Sequence, residues 1–133
     1  DRTDQAIALA AMFLADRIHV RAIVALPESG ATAPWLPRFR STVPIYALSR
    51  NAAARRRMQL YRDVNPVDFG ARGAGPTQAV REAIAHLFAL GRLSTGDRVL
   101  VTTGDHTGRL GGTNTLKLLQ VGEAGAAVGL SDL

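Results

Sequence analysis

Val20 to Leu26 (VRAIVAL) is a short, nearly continuous apolar run rich in β-branched residues. That pattern reads as a strand buried on both faces, the mark of a parallel sheet. Upstream, Thr3 or Asp4 is a suitable cap for a helix through Ala6, Ile7, Ala10, Phe13, Leu14 and Arg17, which recur at helical spacing. Downstream, Pro27-Glu28-Ser29-Gly30 ends the strand and Thr32 can cap a short helix, with Pro34 in its first turn and Pro37 limiting it. A second strand follows at Pro44–Leu48, and Asn51 suits the N-cap of a helix over Ala52–Leu60 with Arg55, Arg56 and Arg57 on its solvated side.

Val64–Phe69 reads as a weaker third strand, placed at a sheet edge by Pro66. Beyond the Gly70–Gly75 bend, Pro76-Thr77 opens a helix over Gln78–Leu90. Its apolar positions include Val80, Ile84, Leu87 and Phe88, and Gly91 stands where a C′ residue belongs. Gly96-Asp97 turns into a fourth strand, Arg98–Thr102. The Gly-rich stretch Thr103–Thr113 leads to a last strand, about Asn114–Val121. Residues 1–121 form one α/β domain, and residues 122–133, with small side chains and weak periodicity, are a tail.

The expected architecture is a three-layer α/β/α open mixed sheet of five strands. The first three strand connections carry helices, so parallel neighbours are expected. The last connection lacks the length for a parallel return, so the fifth strand runs antiparallel. With the third strand at one edge, the order is 3-2-1-4-5.

A chain of 133 residues is about one domain and too short for a (β/α)₈ barrel. Charged residues interrupt every long apolar stretch, which excludes a transmembrane helix, and no signal peptide is visible at the start of the sequence. The absence of cysteine excludes disulfide, CxxC and thiolate-metal chemistry and fits a cytoplasmic protein. The net charge of +5 rests almost wholly on arginine, Lys117 being the only lysine. Arginine suits phosphate oxygens, although an Arg-for-Lys, Ala-rich codon usage accounts for the bias without a function. The arginines are scattered and no aromatics interleave with them, so nucleic acid is not an expected partner, nor is a membrane.

In this order the chain reverses direction between strands one and four, and open α/β sheets bind ligands outside the carboxyl ends of strands at such a point. Two segments meet there. Ser29 and Thr32 offer hydroxyls and Gly30 allows close backbone approach; opposite them, His106, Thr107, Gly108 and Arg109 offer an imidazole, a hydroxyl, a free backbone and a guanidinium. Together they make a candidate phosphate site, with Glu28 weighing against it. No metal site is expected, because His19, His86 and His106 lack ligand spacing, and no catalytic residue is expected, because Asp105-His106 has no nucleophile elbow beside it. Neither a Walker P-loop nor GxGxxG occurs.

The segments AIVALPESGATA, VPIYALSRN, LYRDVNPVDF and LSTGDRVLVTTGDHTGRLGGTNTLKLLQV, in that order, resemble the C-terminal domain of pyruvate kinase from about Asp4 to Val121. The most specific elements are the Ser29–Thr32 turn, Val43–Asn51 and Gly112–Thr115. The resemblance implies a non-catalytic regulatory and assembly domain. A phosphorylated effector would sit between the Ser29–Thr32 turn and the Gly104–Gly112 loop, within a homo-oligomer. It also implies that phosphoryl transfer from phosphoenolpyruvate to ADP, with Mg²⁺ and K⁺, belongs to an upstream barrel domain, so this chain by itself is expected to have no enzyme activity and no cofactor. Pro27, Glu28, Ala31, Asp105 and the short GARGAGP segment depart from the family pattern and speak against fructose 1,6-bisphosphate. A monophosphate, a nucleotide or no effector stays open. The alternative reading is a stand-alone oligomerisation module with a degenerate pocket.

Overall fold

The apolar run at the heart of the sequence becomes β1 (Ala22–Leu26), an interior strand whose side chains serve two cores. The computed structural model describes residues 2–26, 41–73, 75–103 and 115–129. Ile23 and Ala25 face α1 (Arg2–Ile18), while Ala22 and Val24 face the opposite layer, so neither side of the strand meets water. Burying each of the larger side chains contributes roughly 1.5–3 kcal/mol.

The remaining elements are β2 (Ile45–Ser49), α2 (Ala52–Met58), β3 (Val64–Asp68), α3 (Pro76–Ala89), β4 (Arg98–Thr103), β5 (Thr115–Val121) and β6 (Ala127–Val128). The sheet order is β3-β2-β1-β4-β5-β6. β3, β2, β1 and β4 run parallel, and β5 is antiparallel to β4. Helices α1 and α2 pack on one face around Ile23, Ile45, Met58 and Leu100, and α3 covers the other face around Val24, Ile84, Leu87 and Val101. The three-layer α/β/α arrangement and the strand order match the sequence reading. The short helix expected after Thr32 lies outside the described residues.

Two local signals act as expected. The Asn51 side chain accepts the Ala54 N–H (3.0 Å) and caps α2. At the end of α3, Gly91 takes φ +77°. Its N–H donates to Phe88 O and the Arg92 N–H to Leu87 O (3.0 and 2.9 Å), closing a Schellman turn. Boundaries differ slightly: α2 stops at Met58 because Leu60 finds no core and stands 83% exposed.

Two larger differences concern α1 and the tail. The face of α1 against the sheet is Ala8, Ala11 and Ala15, flanked by Met12, Leu14 and Ile18, whereas Phe13 is 58% exposed beneath the Arg17 guanidinium. Ile23 and Leu100 already fill the space between layers, so close packing leaves room there only for alanine. Helix α1 also includes Thr3 and Asp4 in its first turn, since it starts at Arg2. In the segment read as a tail, a 3₁₀ turn at Glu123–Gly125 carries the chain back along β5 as β6, a sixth strand. A two-residue strand is too short to leave a period in sequence.

Candidate functional site

The strand ends from which the two glycine-containing segments start lie at one rim. Leu26 and Thr103, the described residues that precede them, are register partners on parallel β1 and β4, one strand spacing apart at about 4.8 Å. The other carboxyl ends, Ser49 of β2 and Asp68 of β3, are partners in turn and complete the rim. The candidate residues Ser29, Gly30, Thr32, His106, Thr107, Gly108 and Arg109 lie outside the described residues.

Strand β4 changes character as it reaches this rim. Val99, Leu100 and Val101 give way to Thr102 and Thr103, both buried. The Thr102 hydroxyl has no hydrogen-bond partner among the described residues. Polar side chains thus replace aliphatic ones where the chain leaves the core.

Further along, arginines tie the rim together. Arg55 Nη1 donates to Ser49 O (2.8 Å) and to Asp68 Oδ1 (3.1 Å), bridging the ends of β2 and β3. Asp68 is 75% exposed at its side chain, so this ion pair contributes at most about 1 kcal/mol. The solvated role expected of Arg55 is therefore corrected: it is half-buried and structural, because the α2 cap places its first turn over the strand ends. Arg50 Nη2 donates to Ala71 O (2.9 Å) and lies across Gly70, where an added Cβ would come within 2.2 Å of its Nε.

Beside β3 the rim opens into a cleft of about 560 Å³ between the strand exit and α3. Phe69 and His86 meet there in a tilted ring contact with centroids 5.2 Å apart. Glu82 accepts the N–H groups of Arg72 (2.7 Å) and Gly73 (2.8 Å) and a third bond from Gln78. Those two backbone donors, Arg72 and then Gly73, hold its carboxyl below the ordinary glutamate range. The sequence reading missed Arg50, Arg72 and Glu82, and gave no role here to His86, which lies half-buried. The one available signal was position, since Arg72, Glu82 and His86 follow the third strand and Arg50 follows the second. Among the described residues no three His, Asp or Glu side chains assemble into a metal-holding group, and no helix is long and apolar enough to cross a membrane.

The family model for "Pyruvate kinase, alpha/beta domain" matches residues 5–119. Pyruvate kinase of Buchnera aphidicola subsp. Acyrthosiphon pisum is 38% identical over 122 residues, covering 91% of this chain and 25% of that protein. Pyruvate kinase II of Salmonella typhimurium is 40% identical over 122 residues with the same coverage. Pyruvate kinase of Staphylococcus aureus is 34% identical over 119 residues, covering 89% of this chain and 20% of that protein. The chain spans about a quarter or less of the length of these relatives.

Proposed function

The chain belongs to the pyruvate kinase alpha/beta-domain family, and from that membership we propose that it is a cytoplasmic, non-catalytic regulatory and assembly unit. Its ligand is a phosphorylated metabolite held at the carboxyl rim of the sheet. Ser29, Gly30 and Thr32 approach from one strand exit, and His106, Thr107, Gly108 and Arg109 from the next. Phosphoryl transfer from phosphoenolpyruvate to ADP, with its Mg²⁺ and K⁺, belongs to a barrel domain of the parent enzyme. The observation that carries this reading is the pairing of Leu26 with Thr103, which starts both segments one strand apart.

A phosphate there would meet hydroxyls, backbone N–H groups and a guanidinium together, the donor set that charge-assisted recognition favours. The rim's other arginines leave room for it, since Arg55 is committed to Asp68 and Arg50 to Ala71. Calorimetry and thermal unfolding against AMP, ribose 5-phosphate, glucose 6-phosphate and fructose 1,6-bisphosphate test the reading. At a hundredfold excess over the dissociation constant, the bound effector should stabilise the chain by about 2.7 kcal/mol. Arg109→Ala should weaken that binding by roughly 1.5–3 kcal/mol. No response to any of the four would remove the effector role.

A second reading, homo-oligomeric assembly, draws on the sheet surface. Leu118 and Val128 are 47% and 50% exposed on β5 and β6, and the register of Gln120 with Val128 puts them on one face. Leu9 and Phe13 add exposed apolar area on α1. Sedimentation of the chain checks it: a dimer or tetramer without ligand affinity favours assembly alone, and a monomer rejects self-assembly of this chain.

A further inference from the structure

At the opposite end of the sheet, β1, β2 and β4 begin around a second cleft of about 420 Å³. Its wall is basic. The Arg21 N–H donates to Arg98 O (2.7 Å), which extends the β1–β4 register by one residue and sets the two arginines side by side. Both line the cleft. Among the described residues neither guanidinium has a carboxylate within ion-pair distance. Like charges directly opposite on neighbouring strands repel, and an anion between them turns that repulsion into shared attraction.

The surroundings hold this arrangement in place. Arg98 Nη2 donates to Ile18 O at the end of α1, which fixes one guanidinium. His19, the residue after α1, takes φ +54°, a left-handed conformation uncommon outside glycine, and lines the same cleft with Thr42. Asp97 is the opposing charge in the lining, where its Oδ2 accepts the Ser94 N–H (2.8 Å) within its own turn; the Asp63 carboxylate accepts the Ser41 N–H (3.3 Å) next to Thr42. Two guanidinium groups against one occupied carboxylate in the lining leave the cleft positive.

We propose that this amino-end cleft is an oxyanion site. It takes a compact tetrahedral anion, inorganic phosphate or the phosphate group of a small monoester. Arg21 and Arg98 supply planar forks matched to the oxygens, and Thr42 and His19 supply further donors. The site is independent of the effector reading at the carboxyl rim, and either can fail without the other.

The test is an amide-shift titration of the isotope-labelled chain at neutral pH and constant ionic strength. Inorganic phosphate and then glycerol 2-phosphate are added to the natural sequence, to Arg21→Ala and to Arg109→Ala. Saturable shifts are expected at Arg21, Thr42 and Gly96. The dissociation constant read at those three amides should rise about tenfold or more in Arg21→Ala and stay unchanged in Arg109→Ala, whose effect is confined to amides at the carboxyl rim. Saturation by both probes assigns recognition to the phosphate group, and saturation by inorganic phosphate alone assigns a site closed around the free ion. Arg21 is exposed, so a dispersed spectrum of its variant confirms that binding rather than folding is read. Non-saturating drift at those amides, or an unchanged constant in Arg21→Ala, overturns the proposal.

Discussion

Glu82 shows how a single side chain organises the rim. Its carboxylate gathers two backbone N–H groups from the bend before α3 and so fixes that bend. Because those bonds lower its folded pKa, the stability it contributes is complete above the unfolded glutamate pKa and disappears as pH falls through the lower folded value. Glu82→Gln should therefore be less stable than the natural sequence at neutral pH. The gap should close progressively on acidification from about pH 5, near the ordinary glutamate range; urea unfolding at several pH values measures it. At Asn51 a different device is at work, a side-chain oxygen satisfying one orphan N–H of α2. Asn51→Ala should cost about 1 kcal/mol in the same assay. Asn51 and Gly91 were legible because a cap needs one residue type at one place. Glu82 was not, since its partners lie across a bend whose path the sequence does not state.

Among the elements, α1 separates pattern from packing. Its large apolar residues suggest a buried stripe through Phe13, yet the sheet accepts the alanine face. Two variants distinguish these orientations. Phe13→Ser should change stability by no more than about 0.5 kcal/mol, as for an ordinary surface site. Ala11→Leu should cost about 1–3 kcal/mol by overfilling a closed interface. Chemical denaturation reads both. The 3₁₀ turn before β6 offers a further check. Gly125 has φ +79°, and a Cβ there would lie 2.9 Å from Phe88 Cβ on α3. Gly125→Ala should destabilise by about 1–2 kcal/mol or more, from the left-handed backbone alone, with the loss visible as a lowered thermal midpoint. Periodicity located these elements and set their type. It did not set the rotation of a helix, which depends on the volumes opposite it.

For the molecule as a whole, topology was the most legible level. Continuous apolar strands, helical connections and one short return dictate a largely parallel sheet with a reversed last neighbour, and β1 to β5 follow that plan. The rim is legible for the same reason: once β1 and β4 are neighbours, the segments after Leu26 and Thr103 must start together. The basic cleft at the amino end was not, because Arg21 and Arg98 stand far apart in the chain and only strand pairing unites them.

The brief sixth strand has a consequence for how this molecule behaves in a crowd. By pairing with Gln120 and Val121, it occupies part of a border that would otherwise offer unmet amide and carbonyl groups next to the greasy Leu118. Borders of that kind recruit copies of themselves. Shortening the polypeptide to Val121 should thus make its solutions scatter more light on standing than those of the full chain, even if the interior stays intact.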